Sequence, residues 1–205
     1  MTAQWDTVTI VGVGLIGGSA GLALAKRGAA KKIIGVGRSD SSLEAAKELG
    51  AISEGTTNIR EGVADADFVL VATRVSVIGN QLEEIDTCVR PGTPITDAGS
   101  TKQSIVDRWE QSRSSRKGRF VGSHPLAGSH KRGPQAADPA LFEDKLTVLT
   151  PVESTPQSDT QSISAFWQLI GAQVCHLSPS EHDRLLASAS HAPHIVAAAL
   201  AAATP

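Results

Sequence analysis

Neither sign of charge predominates in this 205-residue sequence: 19 lysines and arginines face 21 aspartates and glutamates, for a formal net charge of −2. With an isoelectric point near 6.3 there is no global basic field to hold a nucleic acid, and none is expected as a partner. Cysteine is scarce. Cys88 and Cys175 lie far apart in ordinary sequence, which excludes a disulfide framework and any metal-ligand spacing and fits a reduced thiol pair. The N-terminus Met1-Thr2-Ala3-Gln4-Trp5-Asp6 has no basic region followed by an apolar core, and no apolar run reaches spanning length. Neither a leader nor a membrane partner is therefore expected, and the cytoplasm is the expected location. Internal repeats and low-complexity linkers are also missing. What remains is a chain of 40% hydrophobic residues, long enough for one large domain or for one domain plus part of another.

Residues 8 to 19 read Val8-Thr9-Ile10-Val11-Gly12-Val13-Gly14-Leu15-Ile16-Gly17-Gly18-Ser19, an apolar β-branched run that breaks into G-x-G-x-x-G and continues into the helix-compatible Ala20-Gly21-Leu22-Ala23-Leu24-Ala25. Strand, tight turn and helix start follow in the order a dinucleotide pyrophosphate requires. Gly12 permits the turn, Gly14 lets the backbone approach the phosphates and Gly17 lets helix and strand pack closely, so the anion sits on unpaired helix N–H groups beside Leu15 and Ile16.

Downstream, short apolar runs alternate with helical patterns. Strands are expected at 8–13, 33–36, 68–72, 93–96, 120–122, 146–149 and 173–177, with helices at 15–26, 41–49, 75–85, 102–111 and 156–169. This alternation predicts an α/β fold, a Rossmann-type doubly wound and mostly parallel sheet. After the last strand, Ser178-Pro179-Ser180-Glu181 is a helix start, with Ser178 as cap, Pro179 in the first turn and Glu181 three residues on. An Ala-rich helix follows, interrupted by Pro193. The composition shift predicts a dinucleotide-binding domain over 1–177 and the start of an all-α domain over 178–205. A single Ala-rich helix cannot bury its own apolar face, so this second unit reads as unfinished.

The end of the second strand selects between nicotinamide cofactors: an acidic residue accepts from the ribose 2′-OH, whereas a basic one tolerates a 2′-phosphate. Here the sequence is Gly35-Val36-Gly37-Arg38-Ser39-Asp40. Arg38 and Ser39 can clasp a phosphate, which favours NADP over NAD; with Arg38 solvated instead, Asp40 would serve the ribose. Two further segments stand at strand ends, where ligands of such sheets collect. In Asp97-Ala98-Gly99-Ser100-Thr101-Lys102, Ser100 is a helix cap, a substrate contact or both. In Gly122-Ser123-His124-Pro125-Leu126-Ala127-Gly128-Ser129-His130-Lys131, Pro125 fixes the chain and holds His124 at a strand tip. A histidine titrating near neutrality can take a proton from a substrate hydroxyl while hydride leaves the same carbon. His130 reads as surface filler.

These motifs, with Leu141-Phe142-Glu143, Leu149-Thr150-Pro151 and Glu181-His182-Asp183 through Ser190-His191-Ala192-Pro193-His194, together resemble the prephenate/arogenate dehydrogenases of tyrosine biosynthesis over essentially the whole chain. The resemblance implies oxidative decarboxylation of prephenate or arogenate, with hydride passing from C4 of the ring to the nicotinamide. It assigns His124 to the hydroxyl proton, Ser100 to the same hydroxyl and the nicotinamide, and Thr73 to the cofactor loop. Ser123, His191 and His194 would face the substrate, His191 and His194 being otherwise a packing pair. It also implies a homodimer formed through a complete helical domain, which supplies an arginine for the substrate carboxylate, while this chain stops at Pro205 inside that domain's first helix. Thr73-Arg74 replaces the usual Thr-Pro, and Gly37 replaces the acidic residue of NAD-preferring relatives. Two other readings remain: a β-hydroxyacid-type dehydrogenase with a lysine base on a helix, and a dinucleotide-binding regulatory module without catalysis.

Overall fold

The computed structural model describes residues 4–111 and 113–203, with the side chains of Arg113, His191 and His194 outside the described set. Its strands are β1 (Trp5–Val11), β2 (Ala30–Val36), β3 (Glu54–Thr56), β4 (Phe68–Val71), β5 (Pro94–Asp97), β6 (Arg119–Pro125), β7 (Leu146–Thr150) and β8 (Gln173–His176). The helices are α1 (Leu15–Arg27), α2 (Asp40–Glu48), α3 (Ile59–Val63), α4 (Val75–Cys88), α5 (Gln103–Glu110), α6 (Gln157–Leu169), α7 (Pro179–Leu186) and α8 (Ala192–Ala203). One eight-stranded sheet runs in the order β3-β2-β1-β4-β5-β6-β7-β8. The first six strands are parallel, β7 is antiparallel to β6, and β8 is parallel to β7.

Alternation along each central strand builds two cores. In β4, Phe68 and Leu70 turn to one face while Val69 and Val71 turn to the other. The first face is covered by Ala20, Ala23 and Leu24 of α1, Leu43 and Ala46 of α2 and Ile163, Phe166 and Trp167 of α6. The second is covered by Ile78, Leu82 and Ile85 of α4 and Ile105, Val106 and Trp109 of α5. Phe68 and Phe166 stack with ring centroids 4.3 Å apart, at the centre of the first core.

Two small elements carry no sequence signal of their own. β3 and α3 are three and five residues long, too short for a periodic pattern, and they form by pairing with β2 and packing on the sheet. The expected strand–helix pattern is otherwise present, with one departure at the C-terminal end. Pro193 does not interrupt the helix. Ala187–His191 widens into a π-turn, closed by Ala192 N–H donating to the Ala187 carbonyl, and this wider turn directly before Pro193 accommodates its missing donor. The run Pro179–Ala203 is therefore continuous, 25 residues, and by length and composition is long and apolar enough to cross a membrane, contrary to the expectation that no run reaches that length. Ile195, Val196 and Leu200 on it are exposed.

Candidate active site at the carboxyl edge of the sheet

The strand order reverses between β1 and β4, and a cleft of about 1200 Å³ opens at their carboxyl ends. Gly12, Gly14, Leu15 and Ile16 line it from one side, and Thr73 and Arg74 from the other. Each glycine of the turn has its own reason. Gly12 has φ +97°, and a Cβ there would lie 2.7 Å from the Ala72 carbonyl oxygen. A Cβ on Gly17 would lie 1.9 Å from the Gly12 carbonyl oxygen, so α1 seats on the turn only without one. A Cβ on Gly14 meets nothing within 4 Å: the space beside it is the cleft itself. Helix α1 starts there with no side-chain cap and no acidic residue in its first turn, leaving its N–H groups to an anion. An open cradle over bare helix N–H groups fits the pyrophosphate of a dinucleotide.

At the end of β2, Arg38, Ser39 and Ser42 line the cleft, while Asp40 begins α2 outside the lining. The Ser39 hydroxyl donates to Ser42 Oγ at 3.1 Å, and Ser42 Oγ donates back to the Ser39 carbonyl at 2.8 Å, which holds the loop in shape. Glu84, the acidic side chain in the lining, is paired with Arg60 at 3.1 Å. The Thr73 hydroxyl donates to Gln81 Oε1.

Further along the sheet, Ser100 lies in the loop after β5 and His124 is the penultimate residue of the adjacent β6. Ser100 is exposed and does not cap α5; its hydroxyl makes no hydrogen bond among the described residues. The cap comes from 80 residues away instead. Asp183 Oδ1 and Oδ2 accept from the backbone N–H groups of Lys102 (2.7 Å) and Gln103 (3.0 Å). His182 of the same helix lies with Nδ1 2.8 Å from Asp183 Oδ1 and Nε2 2.9 Å from His124 Nδ1. The His182 ring is fully buried, and burial pulls its pKa below the usual histidine value against the opposing pull of Asp183. For Asp183, burial pushes upward but is outweighed by His182 and the two N–H donors, so its carboxyl stays below the ordinary range.

Behind this edge, Lys102 is fully buried in an ion pair with Asp97, and its Nζ also donates to the Ser123 carbonyl at 2.8 Å. Desolvation lowers its pKa against the pull of Asp97. Ser123 does not face a substrate. Its hydroxyl is fully buried, donates to the Asp97 carbonyl, lies 2.8 Å from Thr96 Oγ1 and accepts from Trp167 Nε1 at 2.9 Å, so it is enclosed by partners from the core. His191 and His194 fall on the π-turn and α8, and their side chains lie outside the described residues. His182, Asp183, Lys102 and Asp97 were not singled out as site residues from the sequence. The Ser178 capping box that starts α7 was legible, and it is present with both reciprocal bonds, but what the helix touches was not.

The fold and this edge define a dinucleotide-binding protein of the Rossmann class. Residues 20–176 match the family model for the prephenate dehydrogenase nucleotide-binding domain, and 178–205 match that for its dimerization domain. The chain belongs to the prephenate dehydrogenase family. It is 41% identical to a prephenate dehydrogenase of Bacillus subtilis over 201 residues, which cover 98% of this chain and 54% of that protein. The chain thus spans about half the length of the curated relatives it matches. Among solved structures it resembles the Aquifex aeolicus prephenate dehydrogenase in complex with hydroxyphenyl propionate and NAD+, at TM-score 0.89 and 33% identity over 97% of this chain and 68% of that one. It also resembles the Synechocystis arogenate dehydrogenase, at TM-score 0.84 and 31% identity over 96% and 68%.

Proposed function

We propose that this chain carries the cofactor-binding part and the His124 side of the active site of a prephenate dehydrogenase, converting prephenate to 4-hydroxyphenylpyruvate and carbon dioxide in tyrosine biosynthesis. The observation that supports this most directly is His124 near the carboxyl end of β6, with Ser100 in the loop that leaves the adjacent β5, on the sheet whose β1 and β4 end at the dinucleotide cleft. When bound, the dinucleotide supplies the acceptor for the hydride from C4 of the ring. His124 takes the proton of the 4-hydroxyl as hydride leaves, Ser100 orients that hydroxyl, and loss of the ring carboxylate as carbon dioxide lets the ring aromatise. The proton held by His124 returns to the phenolic oxygen. Lys102, fully buried against Asp97, offers no free amine for hydroxyacid chemistry based on lysine.

Arginine and serines at the end of β2, with Asp40 outside the cleft, favour NADP over NAD. The meeting of two family models between 176 and 178 supports a dinucleotide-binding unit over 1–177 and the start of a helical unit over 178–205. The exposed apolar side of α8 is then a packing face for a homodimer rather than a membrane span, in an enzyme of the cytoplasm. Arogenate, with an ammonium in place of the keto group, is the second substrate reading, favoured by the likeness to the Synechocystis enzyme.

The test is the initial rate of reduced nicotinamide formation with prephenate and with arogenate, each with NADP and NAD. Turnover is expected with prephenate and to fall about 100-fold or more in His124→Asn. Dinucleotide binding without turnover, persisting when the chain is extended by the helical domain of a relative, would leave a binding module and sink the proposal.

A further inference from the structure

We propose that His182 and Asp183, carried by the helical segment, are positioning residues that fix His124 in the tautomer with its proton on Nδ1 and its lone pair on Nε2. The inference rests on His124 being the proton acceptor, as proposed above, and follows from counting donors along one chain of contacts. Asp183 is pinned by the backbone N–H groups of Lys102 and Gln103 at the first turn of α5, so its carboxylate is ionised and can only accept. The 2.8 Å contact to His182 is therefore an Nδ1–H donating to Oδ1. Burial of the His182 ring opposes a second proton on it, although Asp183 and Asp97 favour one and Lys102 opposes it. His182 is then neutral, and Nε2 presents a lone pair.

That lone pair lies 2.9 Å from His124 Nδ1. With His182 as the acceptor, His124 Nδ1–H is the donor, and the other ring nitrogen, Nε2, holds the lone pair that takes the substrate proton. The two rings meet edge-on, 66° apart with centroids at 5.1 Å, as a donor in one ring plane meeting the edge of the next requires. When His124 gains its proton, the imidazolium is stabilised through His182 by the Asp183 carboxylate. The logic is that of a base oriented by a third group, extended by one ring. Its parts come from both sides of residue 177: His124 from the sheet, His182 and Asp183 from the segment matching the dimerization domain. The dinucleotide-binding unit alone would hold His124 without this orientation.

A core histidine that merely satisfies its hydrogen bonds would sit in the same place, so the test must read the proton. Nitrogen-15 shifts of the histidine rings, recorded on the chain as it stands near neutral pH, distinguish protonated from bare ring nitrogens without any turnover. We expect protonated Nδ1 and bare Nε2 on both His182 and His124. In Asp183→Ala the acceptor for His182 Nδ1–H is removed, so both rings are expected to lose the fixed Nδ1–H tautomer and to populate Nε2–H. His182→Gln can accept from His124 and donate to Asp183 and is expected to keep the His124 tautomer, whereas His182→Leu is expected to lose it. Protonated Nε2 on neutral wild-type His124, or an unchanged tautomer in Asp183→Ala, overturns the assignment. If the chain or its extended form turns over, Asp183→Ala should lower kcat about 100-fold or more with little change in KM. Correct tautomers without turnover would sink the function proposed above and leave this assignment standing; turnover with Nε2–H on neutral His124 would sink the assignment alone.

Discussion

Gly14 and Gly17 stand one helical turn apart in the same motif, yet a methyl group added at each meets opposite surroundings. Gly14→Ala places it in open cleft, whereas Gly17→Ala drives it into the Gly12 carbonyl. Gly14→Ala is therefore expected to leave the melting temperature nearly unchanged and weaken dinucleotide binding by about 10-fold or more, as its Cβ takes the space of the phosphates. Gly17→Ala is expected to cost on the order of 1–3 kcal/mol of stability, read by denaturant unfolding, because helix and strand must move apart. The same side-chain reasoning applies at Arg38. Arg38→Ala should raise KM for NADP while leaving that for NAD nearly constant, and an unchanged ratio of the two would remove the phosphate clasp. The reasons for these glycines were legible in the sequence because each acts within a short turn. Ser123 was not: the family resemblance set it against the substrate, but its neighbours Thr96, Asp97 and Trp167 arrive from two other elements and make it a core contact.

The helices and strands were set by periodicity, and their joints by distant residues. Helix α5 begins without a side-chain cap of its own and is finished by Asp183 from α7, while Lys102 beside that cap reaches back to Asp97 at the end of β5. One buried ion pair and one carboxylate thereby tie β5, β6, α5 and α7 together. Lys102→Ala should cost about 3–5 kcal/mol in chemical denaturation, because it leaves Asp97 charged and buried without its partner. A loss below about 1 kcal/mol would mean that Asp97 has found other donors or taken up a proton. Nothing in the pattern Ser100-Thr101-Lys102 announces this. A lysine near a helix start is ordinarily a solvated charge, and here its amine is fully buried between Asp97 and the Ser123 carbonyl, which come from β5 and β6.

For the molecule as a whole, acid stability is expected to turn on the buried histidine. Folded His182 has its pKa held below its unfolded value, so between the two the unfolded chain binds more protons and stability rises with pH. The melting temperature should therefore fall as pH drops from above about 6.5 toward the lower folded pKa, and His182→Gln should flatten that slope. Asp183 adds a second loss at more acidic pH, where its carboxyl, held low in the folded state, takes up a proton.

Local sequence determined the strand–turn–helix at Gly12, the alternation that builds a parallel sheet, the capping box at Ser178 and the strand-tip position of His124, because each depends on neighbours within a turn or a strand. The tertiary structure alone decided that Pro193 is absorbed by a π-turn, that Ser123 faces the core, and that His182 and Asp183 meet His124 and α5. Those contacts join residues some 60 to 80 positions apart. No periodicity encodes which face of a late helix will cover an early strand; closing the sheet and packing α7 against its edge does.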